Sequence, residues 1–212
     1  MKLPKNFYRL LCFALFLLLL RVWYTGATSY LFLLWNLFLA WLPLYFMHRI
    51  ERTKTKYSQI GLLLFVLLFL PNAPYLLTDL FHLGKNHHAP LWLDTLLLCS
   101  FALLGCVLFV KTSVRYFEVI AYYIRSSKKL YVIKIFVMLL NGYGIYLGRY
   151  LRFNSWDVIL HPFTLGKAIS NSLLIISHAK ETIAITVCFA IFLYLILEMS
   201  ADLHTNEAIS KK

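Results

Sequence analysis

An aspartate and a histidine three residues apart, Asp79 and His82, are the side chains whose types and spacing most suit chemistry. On a helical turn, residues three apart lie on one face. A carboxylate beside an imidazole can bind a metal ion, run acid and base chemistry or form a stable pair. The spacing alone leaves all three roles open.

Two prolines precede this pair. Pro71 and Pro74 lack amide donors, so each disrupts the helical hydrogen bond to the fourth preceding carbonyl, here those of Leu67 and Leu70. Inside a bilayer such carbonyls must be satisfied by side chains, water or a ligand, and Asn72 is placed to do so locally. We therefore predict a broken helix that resumes as the turn with the aspartate and the histidine.

A second polar patch runs from residue 148 to residue 157. Tyr146, Arg149 and Arg152 follow one another at intervals of three, so a continued helix would align a phenol with two guanidinium groups. Arginine forks match the geometry of carboxylates and phosphates. A structural ion-pair network is the favoured role, and an anionic ligand such as a lipid phosphate is the alternative. The carboxylates available for the network are Asp79, Asp94 and Asp157.

The chain that positions these patches is strongly apolar. In 212 residues, 61% are hydrophobic, only 14% are charged, and the mean hydropathy is +0.72. This composition indicates a polytopic membrane protein. The net charge of +12 comes from short basic segments between apolar runs. That distribution indicates membrane topology, with the lipid bilayer and its anionic headgroups as partners and with no nucleic acid.

Six apolar runs are each close to the roughly 20 residues that cross a bilayer. We predict an all-α transmembrane bundle that forms a single domain over residues 1–212, with the first span uncleaved. A helical segment between spans five and six is expected to lie along the interface, and residues 114–124 are expected to extend the fourth span. The predicted spans lie near residues 8–23, 29–47, 60–80, 91–110, 132–148 and 182–199.

The basic residues also predict an orientation. Placing both termini in the cytoplasm puts fifteen lysines and arginines on the inner side and six on the outer side. Basic residues accumulate on the cytoplasmic side of membrane proteins, so both polar patches are expected to face outward. Arg21 is then interpreted as an interface anchor, Asn36 as an interhelical hydrogen bond, and Gly144 with Gly148 as a face for close helix packing.

The two patches together resemble a known family. The segments from Pro71 to Leu83 and from Gly148 to Asp157, with Asp94 between them, resemble domain-of-unknown-function family 1361, which consists of bacterial multi-pass membrane proteins. The resemblance covers roughly residues 30 to 200. It implies the bacterial inner membrane and no established reaction. The matching motif positions are Asn72, Tyr75, Asp79, His82, Asp94, Arg149, Arg152, Asn154, Trp156 and Asp157.

Three functional hypotheses follow. The favoured one is a structural, assembly or accessory membrane protein, associated with another membrane subunit, whose polar patches hold helix ends together. The second is a membrane enzyme that acts on a phosphate-bearing lipid at the outer leaflet. The third is a small transporter that uses the broken third helix. Whether the protein is an enzyme stays open at this point.

The second hypothesis assigns roles to the same polar residues. Asp79, His82 and Asp94 are its candidate metal ligands, and Asp157 joins them as a candidate catalytic group. A divalent metal is not favoured, because one imidazole and scattered carboxylates make a poor zinc site unless His87, His88 or His161 joins them. The candidate ligand-binding residues are Asn72, Tyr75, Tyr146, Arg149, Arg152, Asn154 and Trp156.

Overall fold

The computed structural model describes residues 3–53, 55–84, 89–174 and 176–210, and within these ranges the chain is helical and contains no strand. The all-α prediction is therefore confirmed. In chain order the elements are α1 Lys5–Thr25, α2 Phe32–Arg52, α3 Lys56–Phe69, α4 Asn72–Thr78, a 3₁₀ helix Asp79–His82, α5 Leu91–Tyr123, α6 Ser127–Arg149, α7 Asp157–Leu160, α8 Pro162–Leu174 and α9 Ile176–Ser210.

The chain divides into two compact units, Met1–Thr112 and Ser113–Lys212, and the division falls within α5. In the first unit, α2 packs against α3 and α4. In the second unit, α9 packs against α6 and α8. The single domain expected from the sequence stays a prediction.

Several helices are suited to a membrane. In the part of the chain that the structure describes, five segments are long and apolar enough to cross a bilayer, namely Lys5–Thr25, Lys56–His82, Leu91–Tyr123, Ser127–Arg149 and Ala179–Leu203. The remaining predicted span corresponds to α2, which has 21 residues but carries Asn36, Pro43 and His48 among its apolar residues. Large hydrophobic side chains such as Leu19 and Phe136 are exposed on these helices, as expected where lipid is the solvent.

The ends of the predicted spans differ from the observed helices. The helical extension of the fourth span is confirmed, because α5 continues to Tyr123 and carries an exposed ion pair of 2.6 Å between Arg115 and Glu118. The segment expected along the interface is helical, as α7 and α8, and its membrane position stays a prediction. The last helix begins at Ile176, earlier than the predicted span, because polar residues flanking an apolar run can still be helical.

The break predicted at the two prolines is confirmed, and it is local. Helix α3 ends at Phe69 and α4 begins at Asn72, yet Leu70 and Pro71 keep right-handed helical backbone angles. The Asn72 side-chain amide donates to the carbonyl of Phe69 at 2.9 Å, and the Leu70 carbonyl accepts from the amide of Ala73 at 3.2 Å. The prolines thus interrupt the hydrogen-bond ladder, and a neighbouring amide satisfies the freed carbonyl of Leu70. Asn72 bonds the carbonyl of Phe69 and neither of the two expected ones, and the satisfaction of the Leu67 carbonyl stays a prediction.

A glycine of α5 lets this interrupted helix approach closely. A Cβ atom placed on Gly105 would overlap the carbonyl oxygen of Ala73 and meet the side chain of Leu76, both in α4. Ala73 and Leu76 are themselves fully buried. Small residues at membrane-helix contacts allow backbones to come together. Gly105 therefore fixes the spacing between α4 and α5 within the first unit.

The second unit has a similar close backbone contact at a glycine, between α6 and α9. A Cβ atom on Gly142 would overlap the carbonyl oxygen of Thr186. Nearer the start of α6, Lys134 Nζ lies 2.6 Å from Glu198 Oε1, so the two helices run antiparallel. The close contact occurs at Gly142, and packing through Gly144 and Gly148 stays a prediction.

Substituting Gly105 by alanine tests this packing. We expect Gly105→Ala to lower the free energy of unfolding by about 1–3 kcal/mol, because the added methyl group overlaps backbone atoms of α4. Gly61→Ala is the matched control, since Gly61 lies in α3 with open space around its Cβ position. That control should leave stability unchanged or raise it by up to about 1 kcal/mol. Thermal unfolding in detergent measures both variants, and equal stability of the two would contradict the packing.

Candidate functional site

A buried ion pair joins the end of α1 to the first turn of α5. Arg21 Nε donates to Asp94 Oδ1 at 2.7 Å, and the side chains are 1% and 2% exposed. A charge in an apolar environment is stable only when it is paired and hydrogen-bonded. The pair therefore holds together two helix ends that are separated by 73 residues in sequence.

Arg21 makes two further contacts in the segment before α2. Its Nη1 donates to Ser29 Oγ at 3.2 Å, and its guanidinium carbon lies 3.8 Å from the centre of the Tyr30 ring. This distance is well within the range of a cation–π interaction. Tyr30 is buried, and its hydroxyl donates to the backbone carbonyl of His82 at 3.1 Å. The arginine and the tyrosine together link α1, α5 and the 3₁₀ helix.

Asp79 is connected to α2. Its side chain is buried, and its Oδ2 accepts a hydrogen bond of 2.9 Å from the side-chain amide of Asn36. The interhelical hydrogen bond predicted for Asn36 is thereby confirmed. Next to Asp79, the hydroxyl of Thr78 donates to the carbonyl of Tyr75 at 2.7 Å. Asp79 thus anchors the end of the interrupted helix to the first third of α2.

His82 lies one 3₁₀ turn after Asp79. Residues three apart are eclipsed in a 3₁₀ helix, so the two side chains share a face, as the spacing predicted. The imidazole is half-buried, and its ring centre is 5.1 Å from that of Phe32. A direct acid–base pair between Asp79 and His82 stays a prediction.

Two of the predicted metal ligands, Asp79 and Asp94, already bind side chains of the protein. Asp94 Oδ1 is occupied by Arg21, and Asp79 Oδ2 is occupied by Asn36. Across the described ranges, no group of three histidine, cysteine, aspartate or glutamate side chains is arranged to hold a metal ion. His87 and His88 lie outside the described residues.

The second patch differs from its predicted geometry. Helix α6 ends at Arg149, and Arg152 has a left-handed backbone φ of 60°. Arg152 therefore does not continue the helical face of Tyr146 and Arg149, and the predicted alignment of the two guanidinium groups on one helix is wrong. At this end of the helix the Tyr146 ring instead stacks on the Tyr150 ring, with the ring centres 5.4 Å apart.

Asp157 closes the turn that follows. Its Oδ2 accepts from the backbone amide of Asn154 at 2.6 Å, and its own amide donates to the Asn154 carbonyl at 2.9 Å. This reciprocal pattern satisfies backbone groups at the start of α7. Asp157 is buried, Trp156 is half-buried, and the Asn154 and Arg152 side chains are exposed. The carboxylate has a structural use that its sequence position alone did not reveal.

The predicted site residues thus fall into two groups. Asn72, Tyr75, Asp79, His82 and Asp94 belong to the first unit. Tyr146, Arg149, Arg152, Asn154, Trp156 and Asp157 belong to the second unit. Pairing of the two arginines with Asp79 or Asp94 stays a prediction.

Arg21 and Tyr30 are the residues that sequence reasoning missed. Arg21 was interpreted as an interface anchor, whereas it is buried against Asp94. A signal was available, because Arg21 and Asp94 carry opposite charges at span ends that the predicted topology puts on the same side. Tyr30 carried no such signal, since an aromatic residue near a span end is ordinary in membrane proteins.

The helical fold, the apolar spans and the buried ion pair define a polytopic all-α membrane protein. The chain belongs to DUF1361, a family of proteins of unknown function, whose model matches residues 35–196. No curated protein and no solved structure matches the chain. Asp79, His82, Asp94 and the second patch lie inside the matched segment, whereas Arg21 and Tyr30 precede it.

Breaking the buried ion pair measures how much the pair contributes to the free energy of unfolding. We expect Asp94→Asn and Arg21→Gln each to lower the free energy of unfolding by about 3–5 kcal/mol, because each leaves the other charge buried without its partner. Glu118→Gln is the matched control, since it breaks the exposed pair with Arg115. Exposed pairs contribute about 0–1 kcal/mol. Denaturant unfolding in micelles measures all three variants, and equal losses would contradict the interpretation.

Proposed function

We propose that this DUF1361 member is a non-catalytic protein of the bacterial inner membrane, a structural, assembly or accessory subunit with both termini in the cytoplasm. The observation that carries the proposal is the use of its buried charges. Arg21 and Asp94 are bound to each other, and Asp79 is bound to Asn36. Side chains with the chemistry of an active site are engaged in holding helix ends together.

The same contacts suggest how such a protein works. A cluster that ties together the ends of α1, α2 and α5 produces a rigid scaffold at one end of the first unit. Around it the helices present large apolar side chains, including Trp23 and Trp92, to the outside. A rigid polar core with apolar outer faces suits contact with lipid and with another membrane subunit.

Removing Asp79 or His82 distinguishes a structural protein, which should lose stability, from a metal-dependent enzyme, which should lose its metal. We expect Asp79→Ala to lower the free energy of unfolding by about 1–3 kcal/mol, because the amide of Asn36 loses its acceptor. Asp202→Ala is the control, since Asp202 is an exposed carboxylate of α9. Metal analysis of the purified wild type, Asp79→Ala and His82→Ala accompanies the unfolding measurement. A stoichiometric metal that both variants lose, with stability unchanged, would contradict the proposal.

The accessory role also predicts an association. Isolated from native membranes in mild detergent, the chain is expected to carry a second membrane subunit in a fixed ratio. Variants with a broken Arg21–Asp94 pair should retain less of that subunit than Glu118→Gln, because the scaffold is lost. Recovery of the wild-type chain alone from intact, folded preparations would count against an accessory subunit.

One observation favours a second candidate, a protein that acts on a phosphate-bearing lipid at the outer leaflet. Arg152 is exposed and has a left-handed backbone, a strained conformation that is often found at functional sites.

The variants Arg149→Lys and Arg152→Lys distinguish the structural candidate from the lipid-binding candidate. If both variants keep their thermal stability and lose the binding of phosphate-bearing lipid, the second candidate is supported. If stability falls, the arginines are structural.

A further inference from the structure

A groove lies between the start of α1 and the end of α2, at the opposite end of α1 from Arg21. Its volume is about 330 Å³. Tyr8 of this groove and Arg21 lie on the same helix, so the rise of 1.5 Å per residue separates them by about 20 Å, roughly two thirds of the hydrocarbon thickness of a bilayer. Aromatic and basic side chains dominate its lining, which includes Tyr8, Trp41, Tyr45, His48, Arg49 and Arg52.

Arg49 is held in a defined orientation at this groove. Its Nη2 and Nε donate to the hydroxyl of Tyr45 at 2.7 and 3.2 Å, and its guanidinium carbon lies 5.4 Å from the centre of that ring. The Tyr45 ring in turn lies 5.1 Å from Trp41. A guanidinium carries five N–H donors, more than one phenol oxygen can accept. The arginine is therefore positioned by aromatic contacts and keeps donors for a further acceptor.

The charge of the groove is positive. Arg49 and Arg52 are both exposed and both line it, whereas the exposed Glu51 between them does not. The ring nitrogen Nδ1 of His48 lies 3.1 Å from the carbonyl oxygen of Leu44, which fixes the imidazole against its own helix. Two guanidinium groups beside an apolar wall match a ligand that has an anionic head and an apolar body.

We propose that this groove binds the headgroup of an anionic phospholipid, with the phosphate between Arg49 and Arg52 and the glycerol and upper acyl chains against Tyr8 and Trp41. Basic pockets between membrane helices on the cytoplasmic side are suited to such headgroups. Tryptophan and tyrosine favour the depth at which headgroups meet acyl chains. The site is separate from both polar patches and does not depend on the proposed accessory role.

Lipid titration of the full chain tests the proposal. The purified protein in neutral detergent is titrated with dioleoyl phosphatidylglycerol or dioleoyl phosphatidylcholine, and bound lipid is counted by native mass spectrometry. We expect tighter binding of phosphatidylglycerol. Arg49→Gln with Arg52→Gln should weaken that binding by about thirtyfold, since each basic contact contributes roughly a fivefold factor. Equal affinity of the wild type for the two lipids would overturn the proposal.

A second double variant distinguishes lipid binding at this groove from the general attraction of anionic lipid to exposed basic residues. Lys128→Gln with Lys129→Gln removes the same charge from exposed positions in the first turn of α6. That variant should keep the wild-type affinity for phosphatidylglycerol, and an equal loss in the two Gln variants would overturn the site. Arg49→Lys with Arg52→Lys keeps the charge but lacks the guanidinium fork, and a folded variant with partial loss supports the geometry. Glycerol 3-phosphate at millimolar concentration should not displace the lipid; displacement would point to a site for free phosphate instead.

Discussion

A charge surrounded by apolar side chains must have a partner, and the first unit is organised by this constraint. Arg21 and Asp94 are almost fully buried, and each would be costly without the other. Their contact fixes the end of α1 against the start of α5. Tyr30 lies under the guanidinium and reaches the backbone of His82, which extends the same constraint to the 3₁₀ helix. Tyr30 thereby connects the ion pair to the segment that carries Asp79, whose carboxylate accepts a hydrogen bond from Asn36.

The prolines create a second requirement, which local groups meet. Pro71 and Pro74 interrupt the helical ladder, and the Asn72 amide together with the Ala73 N–H satisfies nearby carbonyls. The short helix that results approaches α5 closely, because Gly105 has no side chain where the carbonyl oxygen of Ala73 and the side chain of Leu76 lie. The second unit uses the same combination of a close glycine contact, at Gly142, and an ion pair, between Lys134 and Glu198. In lipid, where apolar contact alone gives little preference between partners, close packing and polar pairs specify which helices meet.

The sequence predicted the helical class, the family and the interrupted helix, because hydropathy and proline chemistry act locally. It also predicted that Asn36 bonds to another helix, since an amide inside a span has few other uses. The partner of Asp94 was not predicted, because Arg21 is 73 residues away and a basic residue at a span end has an ordinary interfacial interpretation. The end of α6 at Arg149 was also missed. The interval of three residues continues from Tyr146 to Arg152 in the sequence. The turn closed by Asn154 and Asp157 depends on one backbone hydrogen bond and one bond to the Asp157 carboxylate, which that spacing does not encode.

The coupling energy between Arg21 and Asp94 is the most direct measure of their role. A double-mutant cycle with Arg21→Met, Asp94→Leu and the combined variant, followed by unfolding in detergent, isolates the pairwise contribution. If the pair organises the first unit, each single variant is strongly destabilised and the combined variant recovers most of the loss. The coupling energy should then be at least as large as the loss in either single variant, about 3–5 kcal/mol. Additive losses, with a coupling energy close to zero, would contradict a structural role for the pair and remove the main support for a non-catalytic protein.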